Sequence, residues 1–210
     1  MLLAIDTSAG TAVAVVDRDR GVLAELAEPD TRRHAEVIGE LIKGCLRESG
    51  ATVAELSGVA IGMGPGPFTG LRVGIAAGNA FALGASKPPI RVISHDAIAF
   101  EHYRAGTSEP LLVVTDARRR EVYWSSYSGI DDAGLPVRVG DAGLARPDRL
   151  AEAVPGFNRF TLLDAHTVSA GDLGMLAETM FSAGRQFAGP EPLYLRSPDV
   201  TVSSGPKRVS

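Results

Sequence analysis

The sequence predicts an α/β fold, a sheet covered by helices, and three observations carry that prediction. Short apolar strand candidates alternate with helix-period segments in the order strand-strand-strand-helix-strand-helix-strand-helix, which describes a three-layer unit. A glycine-proline turn inside the run Gly62-Met63-Gly64-Pro65-Gly66-Pro67-Phe68-Thr69-Gly70-Leu71-Arg72-Val73-Gly74 joins one of those strands to one of those helices. The opening strand Leu2-Leu3-Ala4-Ile5-Asp6 is echoed by Leu111-Leu112-Val113-Val114-Thr115-Asp116, and each is followed by a short turn and another apolar strand. At 210 residues and 45% apolar composition, the chain can bury roughly 70% of its unfolded surface.

Residues 2–6, 11–17 and 22–26 read as three strands linked by short turns, an antiparallel meander. A helix over 33–49 carries Val37, Ile38, Leu41, Ile42, Cys45 and Leu46 at helical period, and Gly50 ends it. Residues 58–62 form the next strand, and the glycine-proline turn starts a helix over 68–84. Pro67 suits that start, because its missing N–H would have had no helical partner. Pro88-Pro89 precedes a strand over 90–93 and a helix over 96–103. The stretch Ala105-Gly106-Thr107-Ser108-Glu109-Pro110 is the natural boundary, dividing the chain into lobes 1–105 and 106–210. The second lobe is expected to hold strands over 111–116, 122–127, 135–139 and 160–163. Helices over 147–154 and 170–183 and a packed segment over 192–196 complete it. The tail from Val202 is expected to fray.

A formal charge of −4 argues against a chain that grips a phosphate backbone alone. The single cysteine, Cys45, cannot form an internal disulfide, and no basic-then-apolar leader opens the sequence; a cytoplasmic protein without a membrane span is the expectation. His34, His95, His102 and His166 are scattered and make no compact ligand pair, and no Gly-x-Ser-x-Gly elbow occurs. No metal site and no catalytic constellation are therefore expected. Asp6, Thr7 and Ser8 at the end of the first strand either orient a metal and phosphate or cap their own turn. Gly64 and Gly66 either cradle an anion at a helix start or simply stiffen the connection; no P-loop lysine follows them. Asp116 opens Asp116-Ala117-Arg118-Arg119-Arg120-Glu121, whose arginines face phosphate, a partner's carboxylates or solvent. Gly70, Gly74 and Gly78 stack on one helix face. Each costs up to ~1 kcal/mol against alanine, which calls for a close neighbour, either a partner or the chain itself.

Taken together, several of these segments resemble the bacterial TsaB family of tRNA threonylcarbamoyladenosine biosynthesis proteins, non-catalytic paralogues of the TsaD transferase. The landmarks are Ala4-Ile5-Asp6-Thr7-Ser8, Arg33-His34, residues 62–74, Ser94-His95, Asp116-Ala117-Arg118 with Glu121-Val122-Tyr123, and residues 192–196. Pro67 replaces the serine usual in that run. The resemblance implies an actin-like ATPase (ASKHA), ribonuclease-H-like fold in two related lobes. It also implies a scaffold subunit that pairs with a TsaD-like transferase, with a TsaE-like ATPase in the complex and a homodimer when alone. ATP and a metal ion would belong to those partners, no cofactor would be held tightly here, and tRNA would be met only through the complex. In the catalytic relatives a His-x-x-x-His pair binds metal; His95 matches the first histidine and Ala99 stands at the second. Family members associate through the two helices that map onto 33–49 and 68–84. That makes Val37, Leu41, Cys45, Gly70, Leu71, Gly74, Ala77, Gly78 and Phe81 the expected interface, with Asp6, Thr7, Ser8, Gly64, Gly66 and Asp116 a vestigial nucleotide or anion site. A small actin-like ATPase or kinase with nucleotide between its lobes is the alternative.

Overall fold

Two mixed five-stranded sheets organise the chain in the computed structural model, which describes residues 1–196. In the first sheet β1 (Leu2–Asp6), β2 (Thr11–Asp17) and β3 (Gly21–Glu28) form the meander, while β4 (Gly58–Gly62) and β5 (Pro89–Val92) add parallel to β1. The order is β3-β2-β1-β4-β5. The second sheet contains β6 (Leu111–Asp116), β7 (Val122–Ile130), β8 (Pro136–Arg138), β9 (Gly143–Ala145) and β10 (Thr161–Asp164). β6 pairs antiparallel with β7 and parallel with β10, just as β1 pairs with β2 and β4. The sequence echo between residues 2–6 and 111–116 is thus a repeat of topology.

Alternation along β1 and β2 explains the layers, because successive side chains leave opposite faces of a sheet. Leu3, Ile5, Val13 and Val15 face α1 (His34–Ser49) and α2 (Phe68–Gly84), packing with Ile38, Cys45, Ile61 and Ala82. Leu2, Ala4, Ala14 and Val16 face the other way and pack with Leu173 and Leu176 of α5 (Ala170–Ser182). Small side chains on that face let α5 come close; a Cβ on Gly174 would sit 3.1 Å from the Ala4 methyl group.

Two expectations change here. α3 (Ser94–Arg104) does not complete the first unit as its third layer. It carries buried Ala97, Ile98, Ala99, Phe100 and Tyr103 and is wedged between the halves, while the layer is supplied by α5 from the second half. One apolar cluster runs from Leu2 through Leu111 and Tyr127 to Leu173, so the cut at 105/106 does not separate two cores. Locally, α2 spans the expected residues 68–84. The expected helix over 147–154 is a 3₁₀ turn, Pro147–Arg149, followed by the short α4 (Leu150–Ala153). β9 lacks the apolar alternation that would reveal it in the sequence, and residues 192–196 pack without forming a regular element. The expected fraying from Val202 lies outside the described residues. Among those described, no helix is long and apolar enough to cross a membrane.

Candidate functional site

The β1–β2 turn and the glycine-proline run form one interlocked unit. Asp6 is buried, and both its oxygens are occupied. Oδ1 accepts from the Ser8 N–H at 2.7 Å and the Ser8 hydroxyl at 2.6 Å, and Oδ2 accepts from the Ser94 hydroxyl at 2.5 Å. Ser94 in turn accepts from the Gly64 N–H at 3.0 Å, and the Thr7 hydroxyl donates to the Gly70 carbonyl at 2.8 Å. Burial pushes the Asp6 carboxyl up, against the lowering effect of the Ser8 and Ser94 hydrogen bonds. Ser94 is the residue that sequence reasoning missed; the only signal was its place beside His95.

The glycines explain themselves at this junction. A Cβ on Gly62 would collide with the Asp6 carboxylate, one on Gly66 would lie 2.8 Å from Ser8 Cα, and one on Gly74 would collide with the Thr7 hydroxyl. Gly70 faces the Thr7 carbonyl and the ring of His34, and Gly78 faces Ile61. Gly70, Gly74 and Gly78 therefore lie on the inner face of α2 against the chain's own turn and sheet, as do buried Leu71 and, on α1, buried Cys45. Cys45 donates its thiol to the Val13 carbonyl, and burial raises its pKa to about 11. These five expected interface residues are interior. Helical period marked the apolar stripe without saying that its partner is the sheet. Val37, Leu41, Ala77 and Phe81 are half-buried and flank the outer face, on which Arg72, Ala76, Ala80 and Leu83 are exposed. Leu83 is 83% exposed.

Beside this unit lies a cleft of about 410 Å³ lined by Gly66, Phe68, Arg118, Tyr123, Tyr194 and Arg196, among others. Its far wall is the turn after β6, in which Arg118, Arg119 and Arg120 all take left-handed backbone angles (φ 65°, 55° and 63°). The Ala117 N–H donates to the Glu121 carbonyl at 2.9 Å, and the Arg118 N–H to Asp116 Oδ1 at 2.8 Å, closing that turn. Residues 192–196 strap the cleft: the Leu193 N–H donates to the Met63 carbonyl, Tyr194 packs on Phe68, and Arg196 binds the Ala117 carbonyl and the Glu121 carboxylate.

Of the residues expected at a vestigial nucleotide or anion site, Ser8 and Asp116 line one cavity of about 270 Å³ with Arg118 and His166, Gly66 lines the cleft of about 410 Å³, and Asp6 and Thr7 are buried. A divalent cation needs ionised, accessible oxygens, whereas Asp6 is enclosed with both oxygens used, Gly66 is pressed against Ser8, and exposed Asp116 holds its own turn. Among the described residues no three His, Cys, Asp or Glu side chains gather to hold a metal.

The TsaD family, described as tRNA N6-adenosine threonylcarbamoyltransferase, matches residues 8–141. The tRNA threonylcarbamoyladenosine biosynthesis protein TsaB of Escherichia coli is 30% identical over 224 residues, covering 93% of this chain and 94% of that protein. The chain belongs to the TsaB family. An uncharacterized Mycobacterium tuberculosis protein is 38% identical over 204 residues, covering 94% of this chain and 92% of its own length. The solved structure of YeaZ from Pseudomonas aeruginosa aligns with a TM-score of 0.75 at 27% identity, over 92% of this chain and 99% of that one. With that neighbour, the repeated sheets are those of the actin-like fold.

In this TsaB-family chain His95 has a structural post. His95 is fully buried on α3, its Nδ1 at 2.8 Å from the Ser125 hydroxyl and its Nε2 at 2.8 Å from the Thr115 hydroxyl. It pins α3 to β6 and β7. Burial, reinforced by the Arg138 charge, lowers its pKa to about 3, so it stands as a neutral imidazole. Ala99, where the second ligand would be, is buried in the apolar core.

Proposed function

We propose that the chain is a non-catalytic scaffold and activator subunit in the formation of N6-threonylcarbamoyladenosine in tRNA. It works by pairing with a TsaD-like transferase, in a complex that a TsaE-like ATPase joins. The near full-length match to the E. coli protein named for that biosynthesis carries this reading. The enclosed Asp6 carboxylate supports a role without nucleotide chemistry of its own, with ATP and metal in the partner subunits. Pairing, with the transferase or with a second copy, uses the outer face of α2 around Ala76, Ala80 and Leu83, flanked by Val37, Leu41, Ala77 and Phe81.

Reconstitution tests the whole reading. With transferase, ATPase subunit, ATP and unmodified tRNA, modified adenosine is expected to form only when this chain is present; equal yield without it would overturn the proposal. Ala80→Arg, which puts a charge on an exposed helical position, is expected to leave the melting temperature unchanged. It should weaken association with the transferase by tenfold or more, or about 1.4 kcal/mol. An unaltered pull-down would place the docking face elsewhere.

A further inference from the structure

We infer that the cavity where α5 meets the start of β1 and of β5 is a small-molecule site, and that the ligand it fits is an organic amine, one ammonium group on an apolar body. The inference goes beyond the function proposed above. The cavity lies on the α5 side of the first sheet, whereas α1 and α2 cover the opposite side, so a partner on the outer face of α2 leaves it open.

Separate stretches of the chain wall this cavity of about 520 Å³, a volume ordinary for a site that encloses a small ligand. Its apolar lining comes from Leu2, Pro89, Ile90, Ala177, Phe181 and Phe187. Phe181 follows Glu178 and Ala177 by one helical turn, so α5 turns all three towards one side. Beyond α5 the chain returns along β5, where the Ala188 N–H donates to the Arg91 carbonyl at 2.9 Å, and this return sets Phe187 in the wall. Phe181 is 72% exposed, so a ligand seated against its ring removes apolar area from water.

The polar part of the lining selects the charge of the ligand. The Glu178 side chain is 13% exposed, and its carboxylate accepts no hydrogen bond among the described residues. Its nearest cation, the Met1 amino group, stands 3.9 Å away and is shared with Asp17. Burial pushes the Glu178 carboxyl up, against the lowering effect of that amino group. Asp17 uses Oδ1 on the N–H groups of Asp19 and Arg20, while Arg18 and Asp19 are exposed on the turn that follows. Three carboxylates thus face Arg18 and the amino group, and one negative charge is left over. A half-buried carboxylate with unused acceptor capacity, one helical turn from an aromatic ring, suits an ammonium group, which donates to the first and is attracted by the face of the second. An anion of the same shape would meet the surplus and enclose Glu178 without a partner.

The test is an NMR titration of the isotope-labelled full chain with phenethylamine. Phenethyl alcohol and hydrocinnamate carry the same body with no charge and with a negative one. The amine is expected to give saturable shifts at the amides of Ala177, Glu178, Phe181 and Phe187, with half-saturation at about 1 mM or below. The alcohol should bind about tenfold more weakly, and the carboxylate more weakly still. Glu178→Gln is expected to remove most of the amine's advantage over the alcohol while leaving the alcohol's own affinity unchanged. Phe181→Ala, at an exposed position, should weaken amine and alcohol alike, by about three- to tenfold. The inference is overturned if the amine gives no saturable shifts, if they fall away from α5 and β5, or if the carboxylate binds as tightly as the amine. It is also overturned if Glu178→Gln keeps the amine's advantage, which would trace the preference to a group outside this cavity.

Discussion

Gly74→Leu is expected to be severely destabilised, by about 4 kcal/mol or more from a total of roughly 5–15. A Cβ at position 74 would already overlap the Thr7 hydroxyl, and its next nearest neighbours are Thr7 Cγ2 at 2.9 Å and Cβ at 3.0 Å. Thr7 cannot retreat cheaply. Its hydroxyl donates to the Gly70 carbonyl, and it stands between Asp6 and Ser8, whose mutual hydrogen bonds are buried. Alanine would raise helix propensity by up to ~1 kcal/mol, yet the collision outweighs it, so Gly74→Ala is also destabilised in urea denaturation. The double variant Thr7→Ala, Gly74→Ala removes the two nearest Thr7 atoms, Oγ1 and Cγ2, and should recover at least half of the single variant's loss. No recovery would mean the collision is not the cause. Ala76→Leu, two residues on but exposed, should leave stability within ~0.5 kcal/mol.

That contrast shows which part of the fold is legible in a sequence. Spacing of four places Gly70, Gly74 and Gly78 on one face of a helix, because the helical repeat is a property of the local chain. What that face meets is not local, since Thr7 lies 63 residues from Gly70. The strands of the first sheet are equally legible. Their apolar runs are flanked by turn residues, and β1, β2 and β4 are buried nearly throughout. The third layer is not, because α5 returns from the far end of the chain to a face of small residues that any apolar helix of suitable shape could cover.

At the candidate site, the residue types are visible in the sequence and their arrangement is not. Asp6 beside Thr7 and Ser8 is compatible with metal orientation and with self-capping alike. The deciding partner is Ser94, 88 residues away, which takes the second carboxylate oxygen. The cleft likewise depends on Tyr194 and Arg196 reaching back to Phe68 and Glu121, partners that no local pattern names. The arginine turn is legible as a cluster, but the left-handed backbone of its three arginines is displayed only by the structure.

Acid should unfold this protein through His95 more than through any other histidine. The ring is fully buried between the Ser125 and Thr115 hydroxyls, each of which can donate or accept. A neutral imidazole, with one N–H and one bare nitrogen, is satisfied there; an imidazolium would be a buried charge facing Arg138. In the unfolded chain the group titrates at its ordinary value of 6.5, while in the fold it is pushed down to about 3. The unfolded state therefore binds a proton that the native state refuses. Full stability is present above 6.5 and falls as the pH drops towards 3, by up to about 4–5 kcal/mol. His34, also lowered by burial, acts in the same direction. Asp6 opposes both: its raised carboxyl takes up a proton in the fold before it would in the unfolded chain, which lends stability as the pH falls. The wild-type slope is the net of these effects, so the isolating measurement is a comparison with His95→Gln, whose amide can still donate to one hydroxyl and accept from the other. Urea denaturation from about pH 7 to about pH 4 should give a clearly shallower loss in the variant. Parallel curves would show that the proton goes elsewhere, and that His95 tolerates its charge inside the core.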